Sequence, residues 1–245
     1  MTSRPVISEY RPEHRPLIRS LCCDVAYESA PLEQWLPIPR DLFADIFTSF
    51  YTDFEPENCF IATVDERFAG YILLTPDTNR YNTIWRRRIL LPAFSNILTG
   101  KTHLPLTVIP PLISLGLAIC RCGGLSVPLK QYPGHLHINI HPDFQKRMTV
   151  SMALLSRAYQ RFIELDVPGI HGIVMTSRPR MEAKFRRIGF QILKRCDAPR
   201  PPRKAGDRSR WLIIAMTRDQ IPQTMLTPSL FRNSNRTLAQ RPTSC

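Results

Sequence analysis

Glycine is scarce in this chain and proline is abundant, with 10 glycines and 23 prolines in 245 residues. This balance argues against Gly-rich flexible linkers and favours irregular connections between elements. The N-terminus lacks the apolar run of a secretory signal, so we expect a cytoplasmic or nuclear location. An apolar fraction of 43% and a charged fraction of 22% are ordinary for a globular protein.

The seven cysteines also lack the spacing of a metal site. Cys22 and Cys23 form one close pair, and Cys120 and Cys122 form another. Neither has a second pair at the distance along the chain that zinc ligands require. We therefore expect no metal, and thiols that are buried or free in a reducing compartment.

One long uncharged segment, the 17 residues from Leu104 to Cys120, is of the length that a membrane span needs. Pro105, Pro110 and Pro111 lie inside it and would break a spanning helix. The segment therefore predicts a helical insertion that packs on the domain, without stable membrane insertion.

Charge is distributed unevenly along the chain, whose formal net charge is +13. Residues 1–60 carry five Arg or Lys against ten Asp or Glu, a balance of −5. Residues 178–218 carry thirteen Arg or Lys against three acidic residues, a balance of +10. Such a basic region indicates an anionic partner, and a phosphate-bearing cofactor, a nucleic acid and a membrane surface all remain open.

Apolar periodicity predicts seven strands and four helices outside the segment 76–134. The predicted strands are 6–10, 59–64, 68–74, 135–140, 170–176, 190–194 and 211–216, and the predicted helices are 12–26, 40–52, 147–165 and 180–188. This order is typical of a mixed α/β (α+β) fold, with helices packed on a largely antiparallel sheet. We expect one domain over 1–219 with an insertion at about 76–134, where a helix begins at Trp85, and a disordered tail over 220–245.

A strand runs directly into a helix N-terminus between Asn139 and Ser151. The first N–H groups of a helix have no partner within the helix, and they attract phosphate groups. Gln145, Lys146 and Arg147 add side-chain donors and positive charge at this junction. The sequence therefore predicts a pyrophosphate site here.

Residues 132–147 read Tyr-Pro-Gly-His-Leu-His-Ile-Asn-Ile-His-Pro-Asp-Phe-Gln-Lys-Arg. This segment resembles the core of GNAT N-acetyltransferases, in particular the branch related to the acetyltransferase-like domains of O-GlcNAcases. Residues 54–62, 70–73, 167–172 and 185–190 fit the same branch, so the resemblance spans about residues 6–217. It implies the GNAT (acyl-CoA N-acyltransferase) fold, acetyl-CoA as co-substrate, and an amine acceptor that is a small molecule or a protein lysine.

The resemblance also implies which residues hold the acyl-CoA. The backbone of Ile138, Asn139 and Ile140 would pair with the pantetheine arm, and Arg178 or Lys184 would hold the nucleotide end. The pyrophosphate would lie against the segment formed by Gln145, Lys146, Arg147, Met148, Thr149, Val150 and Ser151.

Several residues depart from the family pattern. Met148 and Val150 stand where the pyrophosphate loop has small residues, and their side chains are expected to narrow the approach to the phosphates. Phe185 replaces the Tyr that protonates the departing thiolate, and Arg178 replaces an Asn that holds the cofactor. Asn139 replaces an acidic residue. A second hypothesis is therefore a degenerate module that binds acyl-CoA or a protein partner without turnover.

Few residues remain for proton transfer. Strand alternation places His135, His137 and Asn139 on one face, and His137 is a candidate base because histidine titrates near neutral pH. A hydrogen-bonded structural histidine is the alternative. Tyr132 is a candidate proton donor or, alternatively, a packed turn residue.

Two further expectations concern charge. Acidic residues of the N-terminal half could attract a cationic amine by long-range steering; they are Glu28, Glu33, Asp41 and Asp45. Nucleic-acid binding through 178–218 is a third hypothesis, but it is disfavoured because the region matches no readout motif and has few aromatic residues, Phe185, Phe190 and Trp211.

Overall fold

The computed structural model of the chain describes residues 4–27, 30–145, 148–199, 209–226 and 232–233. Its strands are β1 (Val6–Glu9), β2 (Cys59–Val64), β3 (Arg67–Thr75), β4 (Gly134–Ile140), β5 (Gly169–Thr176), β6 (Gln191–Asp197), β7 (Arg210–Thr217) and β8 (Arg232–Asn233). Its α-helices are α1 (Arg15–Asp24), α2 (Arg40–Phe54), α3 (Thr78–Ile84), α4 (Leu91–Leu98), α5 (Ile109–Arg121), α6 (Met148–Glu164) and α7 (Met181–Arg187).

The strands form one sheet in the order β6-β7-β5-β4-β3-β2-β1-β8. Its neighbouring strands are antiparallel, except for the parallel pairs β4–β5 and β1–β8. Helices cover both faces, which confirms the predicted α/β class with a mixed, largely antiparallel sheet.

The strands predicted at 59–64 and 68–74 form a hairpin, in which β2 is joined to β3 by a two-residue turn. Asp65 and Glu66 have φ angles of 50° and 62°. Positive φ at both central residues is the geometry whose twist matches that of the flanking strands. Arg67, expected in the turn, is the first residue of β3.

Side chains alternate between two cores along the central strands. Ile72 and Leu74 of β3 are fully buried in the core under α6, whereas Tyr71 and Leu73 are fully buried in the core under α1 and α2. In β4, Leu136 packs on the α6 side. The sheet therefore separates a layer formed by α6 from a layer formed by α1 and α2, as the alternation of side chains along each strand requires.

The insertion begins with a helix that the sequence reading placed too late. α3 starts at Thr78, because the Asp77 side chain accepts hydrogen bonds from the Asn79 and Arg80 amides at 2.8 and 3.2 Å. This cap satisfies two free N–H groups of the first turn. The predicted start at Trp85 instead lies in a π-helical turn between α3 and α4.

The apolar segment of the insertion forms α5, with Pro110 and Pro111 in its first turn, where proline is tolerated. Among the described residues, no helix has the length and apolar character to cross a membrane.

Two expectations about the chain are corrected. A disulfide joins Cys122 after α5 to Cys196 in β6, with Cα atoms 5.4 Å apart, so these two cysteines are not thiols as expected. The tail expected to be disordered begins with residues that pack on the α6 core, since Ile221 and Met225 are buried. Apolar side chains spaced along 221–226 stabilise this first part of the tail.

Candidate active site

A cleft opens between the parallel strands β4 and β5. They pair only at Gly134 with Ile170 and at His135 with His171. Beyond these residues β4 stays paired with β3 as far as Ile140, while β5 stays paired with β7 as far as Thr176. The two strands therefore diverge towards their carboxyl ends.

The edge of β4 that faces the cleft offers free backbone donors. The His141 amide donates to the Ala69 carbonyl, which fixes the alternation of β4 against β3. In an antiparallel ladder every second residue bonds the partner strand. The N–H groups of Ile138 and Ile140 consequently point away from β3, into the cleft.

Side chains of the interior strands β4 and β5 are partly exposed where these strands diverge, those of Ile138 and Ile140 on the α6 face and that of Ile173 on the opposite face. Ile173 of β5 is 46% exposed, although β5 lies between two other strands. Ile138 and Ile140 are only half-buried. Because interior strands are normally covered on both faces, this exposure indicates a recess that a ligand can enter.

The N-terminus of α6 stands at the mouth of the cleft. α6 begins at Met148, a few residues after β4 ends at Ile140. Gln145 spans this connection, and its Nε2 donates to the Ile140 carbonyl at 3.1 Å. The free N–H groups of the first turn of α6 therefore lie next to the free N–H groups of β4. A helix N-terminus binds a pyrophosphate through such groups, and a strand edge binds the amides of an extended arm next to it.

The expected narrowing by Val150 is wrong. Val150 is fully buried in the core under α6 and does not project into the junction. The Met148 side chain is 50% exposed and lies at the N-terminal end of α6. Thr149 is also exposed, and the Ser151 hydroxyl donates to the Met148 carbonyl at 3.0 Å. Lys146 and Arg147 lie outside the described residues.

The two cationic residues expected at the nucleotide end are exposed near this mouth. Arg178 follows the carboxyl end of β5, and its amide donates to the Thr176 hydroxyl at 3.1 Å. Lys184 lies on α7. Neither forms an ion pair with a described residue, so both are available to an anion.

On the α1–α2 face, His137 belongs to a network of neutral polar groups. Asn139 Nδ2 donates to the Tyr71 hydroxyl at 2.7 Å, and that oxygen lies 3.2 Å from His137 Nε2. Cys22 Sγ lies 3.9 Å from the same nitrogen, and the exposed Phe47 ring lies 6.3 Å from the imidazole. His137 Nε2 thus lies within hydrogen-bonding distance of the Tyr71 hydroxyl and, at 3.3 Å, of Asn139 Nδ2. Among the described residues, the Asn139 Oδ1 atom accepts no hydrogen bond.

Burial controls the protonation of this network. It lowers the pKa of His137 to about 4 and raises the pKa of Cys22 to about 12. It also raises the pKa of Tyr71 well above its ordinary value. All three groups are uncharged near neutral pH, so His137 is a hydrogen-bond acceptor there and a weak base.

His135 has a structural role. Its Nε2 lies 2.6 Å from the Tyr51 hydroxyl and its Nδ1 lies 2.8 Å from the Thr78 hydroxyl. Both ring nitrogens are therefore engaged, and the ring links α2, β4 and α3.

Tyr132 does not meet His137. It is buried in the turn before β4, and its hydroxyl accepts from Gln191 of β6. Its carbonyl lies 2.9 Å from His171 Nδ1, at the closed end of the cleft. The geometry favours the packed turn residue over the proton donor.

The acidic residues expected to steer a cationic amine lie in ion pairs with arginines. Arg19 pairs with Asp41 at 2.9 Å and with Asp45, and Arg40 pairs with Glu33 at 2.9 Å. Arg40 also pairs with Asp24, so two guanidinium groups face four carboxylates. The acidic side chains are therefore held in ion pairs, and the cluster keeps a net negative charge. Glu28 lies outside the described residues.

Phe185 lies on α7, half-buried against the α6 core, with its ring 6.2 Å from that of Phe190. Phe185 therefore makes an apolar contact at the position where a Tyr would carry its hydroxyl. Within the described ranges, no three His, Cys, Asp or Glu side chains are grouped so as to hold a metal ion.

Comparison with solved structures identifies the fold. The crystal structure of SsHAT superposes with a TM-score of 0.62 at 22% identity, covering 88% of this chain and 98% of that one. An agmatine N-acetyltransferase in its apo form superposes with a TM-score of 0.51 at 14% identity, covering 87% of this chain and 99% of that one. The chain has the GNAT fold. Compared with protein-family models and with curated proteins, the sequence matches none.

Sequence reasoning missed three residues that surround His137, which are Cys22, Phe47 and Tyr71. Tyr71 could have been found, because pairing β3 with β4 in the observed register places it opposite Asn139. Cys22 is 115 residues from His137 along the chain, and no local pattern indicates that contact.

The buried histidines of the sheet make the stability of the fold depend on pH. Burial lowers the pKa of His135, His137 and His171. Below about pH 6.5 the unfolded chain binds protons at these positions and the folded chain does not. We expect the free energy of unfolding to fall on acidification, by at most about 1.4 kcal/mol per pH unit for each histidine.

Chemical denaturation at a series of pH values measures this effect. Equal stability at neutral and mildly acidic pH would contradict the assignment of these histidines as buried and neutral.

Proposed function

We propose that this protein is an acyl-CoA-dependent N-acyltransferase that transfers acetyl from acetyl-CoA directly to an amine. The observation that carries the proposal is the cleft: a strand edge with free N–H groups at Ile138 and Ile140 leads to the free N-terminus of α6. A pantetheine arm carries amides that can pair with such an edge, and a pyrophosphate suits such a helix end. The residues present therefore fit acetyl-CoA.

Each part of the mouth has a role in this proposal. The N–H groups of Met148, Thr149 and Val150 bind the pyrophosphate, and Arg178 and Lys184 attract the nucleotide end. Gln145 holds the connection by its bond to the Ile140 carbonyl. Ser151 supports the first turn from within the helix.

In the reaction the amine nitrogen attacks the thioester carbonyl carbon. A C–N bond forms, the C–S bond breaks and the thiolate of CoA leaves. The nitrogen loses one proton as the amide forms and the thiolate takes up one proton, so the reaction is balanced. Asn139 is fixed by Tyr71, and its Oδ1 can accept from the amine N–H and orient the lone pair. His137 holds Tyr71 in this arrangement and is a positioning residue.

The acceptor is expected to arrive as the free amine. His137 has a pKa of about 4 and is too weak a base to deprotonate an alkylammonium ion. The similar agmatine N-acetyltransferase supports an amine acceptor, which is a small molecule or a protein lysine.

A turnover assay tests the proposal. CoA release from acetyl-CoA is measured with arylamines, amino sugars, polyamines and a lysine peptide. We expect the rate to rise with pH through the pKa of the accepted amine. A bell-shaped profile with a limb near the ordinary histidine pKa would contradict the role given to His137, and no turnover with any amine would contradict the transferase proposal.

The second candidate is a GNAT-like module that binds acyl-CoA, or a protein partner, without turnover. Phe185 favours it, because this position has no hydroxyl to protonate the thiolate. Phe185→Tyr with Met148→Gly tests it, while Val150 is kept because it fills the core. If activity is measurable only in the double variant, the natural chain is the binding module.

Nucleic-acid binding through 178–218 remains the least favoured candidate. Phe190 and Trp211 are buried and are not available for stacking on bases. Arg195 is paired with Glu182 at 2.7 Å.

We propose a cytoplasmic or nuclear location together with the transferase function. Such a compartment is reducing, and the Cys122–Cys196 disulfide would be exposed to reduction there.

A further inference from the structure

The insertion presents large apolar side chains to solvent. Of the fourteen exposed large hydrophobic residues among the described ones, nine lie between residues 90 and 117. Their exposed fractions run from 37% to 83%. Monomeric proteins rarely expose contiguous apolar surface on this scale unless it binds something.

Two of the insertion's three helices, α4 and α5, each present an apolar face to solvent. Leu91, Phe94 and Leu98 recur at helical spacing on the outer face of α4, and Ile109, Ile113 and Leu117 do so on α5. The inner side is anchored, because the buried Ile89 and Val108, which precede the two helices, lie in the core under α1 and α2. The outer faces are therefore held in place with nothing from the described chain covering them.

The same segment carries charge of one sign. Residues 78–142 contain seven Arg or Lys and no Asp or Glu. Arg86, Arg87 and Arg88 are exposed immediately before α4, Lys101 is exposed between the helices, and Arg121 is exposed at the end of α5. The apolar faces are consequently bordered by uncompensated positive charge.

The exposed apolar side chains and the positive charge beside them together indicate what binds to this surface. A second copy of the chain would bring the same positive segment against itself. The C-terminal residues 227–245 carry three Arg and no Asp or Glu, so they do not complement the charge either. An anionic lipid surface supplies both complements together, with acidic headgroups for the basic residues and an apolar layer for the exposed side chains.

We propose that α4 and α5 form a peripheral docking surface for anionic lipid membranes. The helices lie in the headgroup region and do not cross the bilayer, in keeping with their length. This surface is separate from the β4–β5 cleft, and the inference does not depend on the acyltransferase proposal.

Vesicle flotation of the purified full chain tests the proposal. One set of vesicles is phosphatidylcholine, and the other contains one-third phosphatidylserine. We expect binding to the anionic vesicles that weakens with added salt, and little binding to the neutral ones. Arg86→Gln with Arg88→Gln is expected to weaken binding about five-fold for each charge removed, and Leu91→Ser with Phe94→Ser by more than about ten-fold.

Matched controls lie outside the insertion. Leu17→Ser with Leu193→Ser removes two other exposed apolar side chains, and Arg4→Gln with Arg11→Gln removes two other exposed cations. Both control variants should bind like the natural chain, and circular dichroism verifies that each variant is folded. Equal binding of test and control variants would overturn the proposal. So would an absence of binding to anionic vesicles, or a dimer in sedimentation velocity that dissociates in Leu91→Ser with Phe94→Ser.

Discussion

Replacing Met148 by proline is expected to weaken acetyl-CoA binding by about ten-fold or more, whereas Met148→Ala is expected to preserve or improve it. Met148 is the first residue of α6, the helical position where proline is best tolerated. Proline there keeps the helix and removes one N–H donor. A hydrogen bond to a charged group contributes about 1.5–3 kcal/mol, which sets the size of the loss.

The alanine variant is the matched control, because it removes the same side chain and keeps the donor. Isothermal titration with acetyl-CoA gives both dissociation constants, and thermal unfolding verifies that the helix is intact. If proline and alanine bind acetyl-CoA equally well, the N-terminus of α6 is not the phosphate site.

Replacing Arg80 by methionine is expected to destabilise the fold by about 3 kcal/mol near neutral pH. Glu55 ends α2 with its side chain only 3% exposed, and Arg80 of α3 forms its salt bridge. Without Arg80 the buried carboxylate keeps only neutral partners, which are the Thr75 hydroxyl and the Asn58 amide at 3.5 Å. Breaking one side of a buried ion pair leaves an uncompensated charge, which is the costly case.

The pH dependence distinguishes this cause from lost packing. Burial raises the pKa of Glu55, and Arg80 partly opposes that shift. A raised carboxyl pKa means that the folded chain holds its proton to higher pH than the unfolded chain, so stability falls as pH rises through that interval. Arg80→Met should therefore lose less stability in mild acid than at neutral pH.

Urea denaturation of Arg80→Met and Arg80→Lys at both pH values measures this difference. The lysine variant keeps the positive charge and should lose much less stability. A loss in Arg80→Met that is the same at every pH would assign the effect to packing instead.

The carboxyl-terminal half of the fold was predictable because its signals are local. Strand alternation over 135–140 and the helical spacing of Leu154, Leu155 and Ala158 need only near neighbours along the chain. Gly189 ends the α7 segment with a φ of 97°, as a helix C-terminal glycine does. The insertion was harder, since Asp77 alone marks the start of α3, and a short apolar run does not say which of its sides is buried.

The site was only half predictable for a similar reason. Ile138, Ile140 and the α6 N-terminus follow from one continuous segment, so the sequence places them together. The salt bridges of Arg19 and the contact of Tyr71 with His137 depend on how α1 packs on α2 and how β3 pairs with β4. The prediction that the Val150 side chain narrows the approach to the phosphates was wrong. The direction of this side chain depends on how α6 is rotated about its axis against the core, and the spacing of residues in the loop does not determine that rotation.

Amide hydrogen exchange by NMR, with and without acetyl-CoA, tests the central claim most directly. The Ile138 and Ile140 amides face the cleft and should exchange fast in the free protein and slowly in the complex, together with those of the first turn of α6. The His137 and Asn139 amides, bonded to β3, are the internal control and should be slow in both. Saturable binding that protects neither Ile138 nor Ile140 would contradict the assignment of this cleft as the acyl-CoA site.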